Sequence, residues 1–220
     1  MSRNRKIPNH IFKRKTYAIV GDGNCEKWYF QMMSQSEKDK LTIQIKPELL
    51  KKAGLLKQFE YVKDLSENHD VVYWIVDYDV IQRESLECKK GEVKRSEEFK
   101  KYYQEITKKF PTVKILIVNP CFEYWVLLHF NFSYKKFTKC DETGVDLKKV
   151  LPTYEKTEKF YKKNGSDIYS FLKENLPNAI IRAKKLGGFD IHNPNNPVCE
   201  IYKIFDIEGI LEIDISIKSV

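Results

Sequence analysis

Acidic and amide side chains follow directly on each of three short apolar runs in this chain. Asp22 and Glu26 come after Tyr17-Ala18-Ile19-Val20, Asp77 and Asp79 after Val71-Val72-Tyr73-Trp74-Ile75-Val76, and Asn119 and Glu123 after the run from Val113 to Val118. Carboxylates brought together repel one another and resist ionising unless a cation lies between them, and hard oxygen donors select Mg²⁺ or Mn²⁺ over zinc. The predicted chemistry is a divalent-metal site. Asp77 and Asp79 are two residues apart, so a strand continuing through both points them to one face, where they can share an ion. Asp22 lies in the turn sequence Gly21-Asp22-Gly23-Asn24, and Glu26 in the first turn of a helix, where the dipole favours a carboxylate. One of that pair can ligate while the other orients water or accepts a proton. Each group also has a plain alternative: a generic turn for the first, a polar strand end for the second. For Glu123, on an otherwise apolar helix, the alternative is an ion pair with a lysine or arginine.

The elements that must position these residues follow from the hydrophobic pattern. The three apolar runs read as strands covered on both faces, and each leads toward a helix. Helices are predicted over Glu26 to Met33, over Glu48 to Leu65, and from an N-cap at Ser96 to Pro111. A further helix opens at Asn119-Pro120 and carries Phe122, Trp125, Val126 and Leu128 to Phe130. Residues 131 to 176, rich in lysine and aromatics and without a clear strand, read as a helical insertion. A short helix from Asn178 to Leu186 stops at Gly187-Gly188, and the alternation from Ile210 to Ile217 suits an edge strand. The fold class is α/β, with a mostly parallel central sheet flanked by helices and a lysine-rich helical insertion at about 131–176. In such a sheet ligands bind beyond the carboxyl ends of the strands, where the acids fall. One domain is expected over 16–220, preceded by a basic arm over 1–15.

These residues resemble a known family. Ile19-Val20-Gly21-Asp22-Gly23-Asn24-Cys25-Glu26 is similar to the opening of the Toprim fold, a strand followed by Glu-Gly-x-Thr-Glu, and Asp77-x-Asp79 after a buried strand is similar to its Asp-x-Asp. The RloB-like family, a Toprim-related group of prokaryotic defence loci, is the nearer resemblance. It rests on Glu26-Lys27-Trp28-Tyr29-Phe30, on Asn119-Pro120-Cys121-Phe122-Glu123-Tyr124-Trp125-Val126-Leu127-Leu128-His129-Phe130, and on Asn196-Pro197-Val198-Cys199-Glu200-Ile201. The resemblance implies a Toprim-like, Rossmann-like fold and a Mg²⁺-dependent nuclease acting on phosphodiesters in anti-phage defence, with an AAA- or ABC-type ATPase partner. It assigns Asp22, Glu26, Asp77, Asp79 and Glu123 to catalysis, the first four of them also to the metal. Asp22 stands where the family usually has glutamate, and Cys25 where it has threonine or serine. Those two departures favour the alternative, a non-catalytic regulatory or scaffold subunit that binds an ATPase partner or nucleic acid.

Charge and cysteine usage bound the partners and the compartment. The 220-residue chain carries a net charge of +8, and Arg3, Arg5, Lys6, Lys13, Arg14 and Lys15 concentrate positive charge at its start. Together with Lys135, Lys136, Lys162, Lys163, Arg182 and Lys185 this suits a polyanion, DNA or RNA, although basic runs are also ordinary solvated faces. Five cysteines without a Cys-x-x-Cys pair point to reduced thiols, a cytoplasmic location and no thiolate-held structural metal. No apolar run is long enough for a membrane span, and a homo-oligomer is compatible with the chain. Cys25, beside acids, is a poor nucleophile, and His129, between Leu128 and Phe130, is expected to pack in the core rather than bind metal.

Overall fold

The computed structural model describes residues 15–21, 23–41, 44–49, 54–132, 135–137 and 139–206. Asp22, the basic arm up to residue 14 and the strand expected over 210–217 lie outside the described residues. Four parallel strands build the sheet: β1 (Thr16–Gly21), β2 (Gln44–Leu49), β3 (Val71–Asp77) and β4 (Val113–Asn119). A two-residue strand, β5 (Val198–Cys199), joins β4 antiparallel, and the order across the sheet is β2-β1-β3-β4-β5. Alternation along each strand feeds two apolar layers. Ala18, Val20, Val72, Trp74, Val76 and Ile117 enter one, and Tyr17, Ile19, Tyr73, Ile75, Leu116 and Val118 the other.

Helices cover both faces. α1 (Asn24–Ser36), α5 (Phe122–Leu128) and α9 (Leu176–Leu186) contribute to the larger layer, and α2 (Leu55–Ser66), α3 (Tyr78–Leu86) and α4 (Arg95–Lys109) to the smaller. The remaining helices are α6 (Cys140–Val150), α7 (Glu158–Tyr161), α8 (Ile168–Leu172) and α10 (Tyr202–Phe205). Gly187, at φ 83°, ends α9 in the left-handed region that glycine enters without a Cβ penalty.

Several boundaries differ from the sequence expectation. The helix expected from Glu48 begins only at Leu55, because Gln44–Leu49 forms β2 at the sheet edge, where Pro47 is tolerated despite its missing N–H. Asn119-Pro120 does not open α5: its peptide bond is cis and the helix starts at Phe122. Ser96 is not an N-cap but lies inside α4, its N–H donating to Ser85 Oγ at 2.8 Å. The described part of 131–176 forms α6, α7, α8 and a 3-10 turn at Lys173–Asn175, and these pack on α1 and α5. Tyr161 and Tyr169 are fully buried there, so they serve the core rather than an exposed stacking surface.

The stretch around Pro197 has a structural role that its motif left open. Buried Glu200 accepts the Ile117 N–H through Oε2 at 3.0 Å, and through Oε1 the Phe189 N–H at 3.2 Å and Lys203 Nζ at 2.6 Å. Asn119 Nδ2 donates to the carbonyls of Pro194 (3.1 Å) and Asn196 (2.9 Å). The two Asn-Pro segments are thereby tied together at the end of β4. A buried carboxylate with this many donors is satisfied, whereas an unpaired one would destabilise the fold.

Candidate active site at the carboxyl edge of the sheet

Glu26, Asp77, Asp79 and Glu123 line one open cleft of ≈ 350 Å³ at the carboxyl edge of the strands, together with Arg83, Cys140 and Lys156. Glu26 lies in the first turn of α1 and is 3% exposed. Its side chain folds back over the turn that precedes it: a Cβ added at Gly21 would sit 3.1 Å from Glu26 Cβ, and one added at Gly23 would overlap Glu26 Oε2. The two glycines make room for this carboxylate. Asp22, between them, lies outside the described residues.

Asp77 and Asp79 reach the cleft differently from the expected Asp-x-Asp on one strand. β3 ends at Asp77 and α3 begins at Tyr78, so Asp79 belongs to the first turn of a helix. Its Oδ2 accepts the Cys140 N–H at 3.1 Å, while Oδ1 is buried without a hydrogen-bond partner among the described residues. Burial raises the Asp79 pKa, and the Cys140 and Val80 N–H groups with the Arg83 and Lys156 charges only partly counter it. A buried oxygen of this kind is costly unless a cation completes it.

Glu123, in the first turn of α5, is 3% exposed and divides its two oxygens between different partners. Oε1 accepts from Tyr154 Oη at 2.9 Å and from Lys156 Nζ at 2.9 Å. The ion pair weighed as its alternative is therefore present. Burial works against the Lys156 charge, but Glu123, and more weakly Cys25 and Asp77, outweigh that effect and hold the ammonium above its ordinary pKa. Oε2 faces the sulfurs of Cys121 (3.1 Å) and Cys140 (3.0 Å). Those sulfurs are joined as a disulfide, against the expectation of reduced thiols. A separation of 19 residues concealed the pair, since only the fold sets the residue before α5 against the first residue of α6.

The acids share the cleft without closing on one point. Among the described residues, the donor atoms that come within 4.8 Å of one another as a group of three are those of Cys121, Glu123 and Cys140. Spaced carboxylates suit a hydrated Mg²⁺, which keeps several of its waters, so that a carboxylate can hold it through water as well as directly. Asp79, with its unpartnered buried oxygen, Glu26 and Asp77 are the residues that would hold it. Cys25 lines the same cleft, and burial, with the Glu123 charge next, pushes its thiol up to about 12, so it is a poor nucleophile. His129 is buried on α5's C-cap, donates Nδ1–H to the Trp125 carbonyl at 2.9 Å, and burial lowers its pKa to about 4.

Among the described residues, Lys135, Lys136, Lys162, Lys163, Arg182 and Lys185, singled out from sequence, do not line the cleft. Lys135 pairs with Asp146 at 3.3 Å and Lys162 with Glu158 at 2.9 Å, and Arg182 donates to the Leu128 carbonyl at 2.8 Å. Lys136 and Lys163 are exposed, and Lys185 lies over the Phe132 ring at 5.9 Å. Other cations stand nearer the acids. A groove of ≈ 870 Å³ shares Asp79, Arg83 and Cys140 with the cleft and adds Lys94 and Lys139. Sequence reasoning missed Arg83, Lys94, Lys139, Tyr154 and Lys156, although Arg83, one helical turn beyond Asp79, falls on the same face by spacing alone.

Comparison with known proteins places the chain at the level of family. A solved structure described as the crystal structure of an acetyl xylan esterase, AlAXEase, matches at 18% identity and a TM-score of 0.37, covering 83% of this chain and 91% of that one. So loose a likeness says nothing about activity. No curated protein matches the chain. The family model for RloB-like protein matches residues 17–207, a span that takes in all of β1 but Thr16, the glycine turn, Asp77-x-Asp79 and both Asn-Pro segments. The chain belongs to the RloB-like family.

Proposed function

We propose that this protein is a Mg²⁺- or Mn²⁺-dependent nuclease that hydrolyses phosphodiesters of DNA or RNA in the cytoplasm as part of anti-phage defence. The observation that supports the reading most is the shared cleft, where acids from the ends of β1, β3 and β4 face Arg83 and Lys156. Glu26, Asp77 and Asp79 are assigned to the metal, which when bound polarises the phosphate and lowers the pKa of water. Lys156 and Arg83 supply positive charge where the phosphate must sit, and Lys94 and Lys139 in the adjoining groove extend it along a strand. Glu123, held by Tyr154 and Lys156, positions that lysine and borders the same space. An ATPase partner, implied by the family resemblance, belongs to the same proposal.

The test is cleavage of end-labelled single- and double-stranded DNA and RNA with Mg²⁺, with Mn²⁺ and with EDTA. Binding is followed separately in Ca²⁺ across a salt series. Cleavage of at least one substrate is expected with Mg²⁺ or Mn²⁺ and none with EDTA. Binding should weaken with a log–log slope of about −0.7 per phosphate contact for single strands. Salt-dependent binding without cleavage under any metal would favour the regulatory or scaffold subunit. No binding to any of the four would remove nucleic acid as the substrate of the isolated chain.

Gly23→Ala examines the turn under Glu26. Gly23 has φ −102°, which alanine accepts, so the new methyl acts by displacing the Glu26 carboxylate rather than by straining the backbone. Because a misplacement of about 1 Å can cost ~100-fold in rate, cleavage should fall by about 10- to 100-fold with little change in the urea midpoint. Wild-type rates in this variant would show that the position of Glu26 is immaterial.

A further inference from the structure

The corner of the cleft formed by Cys121, Cys140 and Glu123 has chemistry that the hard-metal reading does not use. Glu123 Oε1 is occupied by Tyr154 and Lys156, while Oε2 points at two sulfurs that, once bonded to each other, carry no proton to offer it. A buried carboxylate oxygen against two sulfur lone pairs is poorly satisfied. Reduction changes this. Two thiolates and a carboxylate oxygen with their donor atoms within 4.8 Å of one another form the donor set of a soft divalent ion.

We propose that reduction of the Cys121–Cys140 disulfide creates a zinc-binding site held by both thiolates and Glu123 Oε2, distinct from the hard-metal site of Glu26, Asp77 and Asp79. Two thiols of a small-molecule reductant open the disulfide, giving two protein thiols and one reductant disulfide. Zinc then replaces both thiol protons, releasing two H⁺. A small-molecule disulfide reverses the sequence: the two thiolates give it two electrons and re-form the protein disulfide, it takes up two H⁺ from water to leave as two thiols, and the ion is set free.

Three further features fit a zinc ion here. Two thiolates, one carboxylate and Zn²⁺ sum to −1, and the Lys156 ammonium, 2.9 Å from Glu123 and 3.4 Å from Cys140 Sγ, brings the cluster to neutrality. Tyr154 and Lys156, on the oxygen that does not ligate, orient the one that does, as outer-shell partners commonly do. Cys140 borders both the cleft and the larger groove, which gives the ion an entry path and leaves a fourth, open position on that side. A disulfide that reforms on demand is also the form such bonds usually take in a reducing compartment.

Cobalt titration of the full chain tests the proposal. Reduced wild-type chain should take up one Co²⁺ with a sulfur-to-cobalt charge-transfer band that Zn²⁺ abolishes and excess Mg²⁺ does not. The same chain, oxidised and freed of reductant, should show no band. C121S/C140S, which keeps Cys25, Cys88 and Cys199, should lose it, and Glu123→Gln should weaken affinity by about 10- to 100-fold. No band in the reduced wild type, or an undiminished band in C121S/C140S, would overturn the site. The oxidised and reduced wild types are one polypeptide, so the comparison stands even where the double variant folds poorly. Cleavage is not read, so a failed nuclease assay and a failed titration are separate results.

Discussion

Asp79→Asn should lower metal-dependent cleavage by more than ~100-fold while making the metal-free chain harder to unfold at neutral pH. Changing a residue that merely orients a ligand costs up to ~100-fold, and Asp79 is assigned to the ion itself. The stability gain follows from the sign of its pKa shift. Burial raises the Asp79 carboxyl above its ordinary 3.8, so the native chain binds that proton more tightly than the unfolded chain does. Stability contributed by this group is present below 3.8 and is lost as pH rises through the higher folded value. Asparagine carries no such penalty, and its carbonyl oxygen can still accept the Cys140 N–H now received by Oδ2. Urea midpoints of both proteins in EDTA, at pH 7 and below pH 4, check the linkage: the variant's advantage should shrink at the lower pH. Equal cleavage by the two proteins would remove Asp79 from the site, and a lower midpoint at pH 7 would contradict the sign.

Trp125→Ala should cost about 3–5 kcal/mol of folding stability, the usual range for truncating a buried aromatic. Trp125 is fully buried on α5, stacked on Phe205 with ring centroids 5.7 Å apart and edge-on to His129 at 4.9 Å. It thereby joins α5 to α10, and the cavity left by alanine would be bounded by helices that cannot close onto it without moving. The same helix carries Glu123, so cleavage should fall as the native population falls and recover where the variant is fully folded. Equilibrium unfolding in urea measures the loss. A change below 1 kcal/mol would mean that this layer repacks freely.

The acids were legible in the sequence because each follows a run that could only be a buried strand, and the fold delivers Glu26, Asp77, Asp79 and Glu123 to one cleft. What remained hidden depended on residues whose meaning is spatial. β2 has the composition of a loop, with Pro47 between charged neighbours, and becomes a strand only because β1 offers it a partner. Tyr154 and Lys156 lie 31 and 33 positions beyond the carboxylate they bind, in a stretch whose lysines suggested a surface for a polyanion. Cys140 carries no local signal for its pairing with Cys121. Aromatic and basic residues in 131–176 read alike from composition, whereas packing divides them into core tyrosines, ion pairs and exposed lysines.

The β2 edge also governs how copies of this chain can meet. Among the described residues β2 has a strand neighbour on one side only, and an edge of this kind is a template for a neighbouring chain that proteins blunt with proline and lysine. Pro47 has no N–H to donate, and Lys46 beside it is exposed, so a second copy approaching along β2 finds an interrupted ladder and a positive charge. Sheet extension through this edge is disfavoured even in concentrated solution.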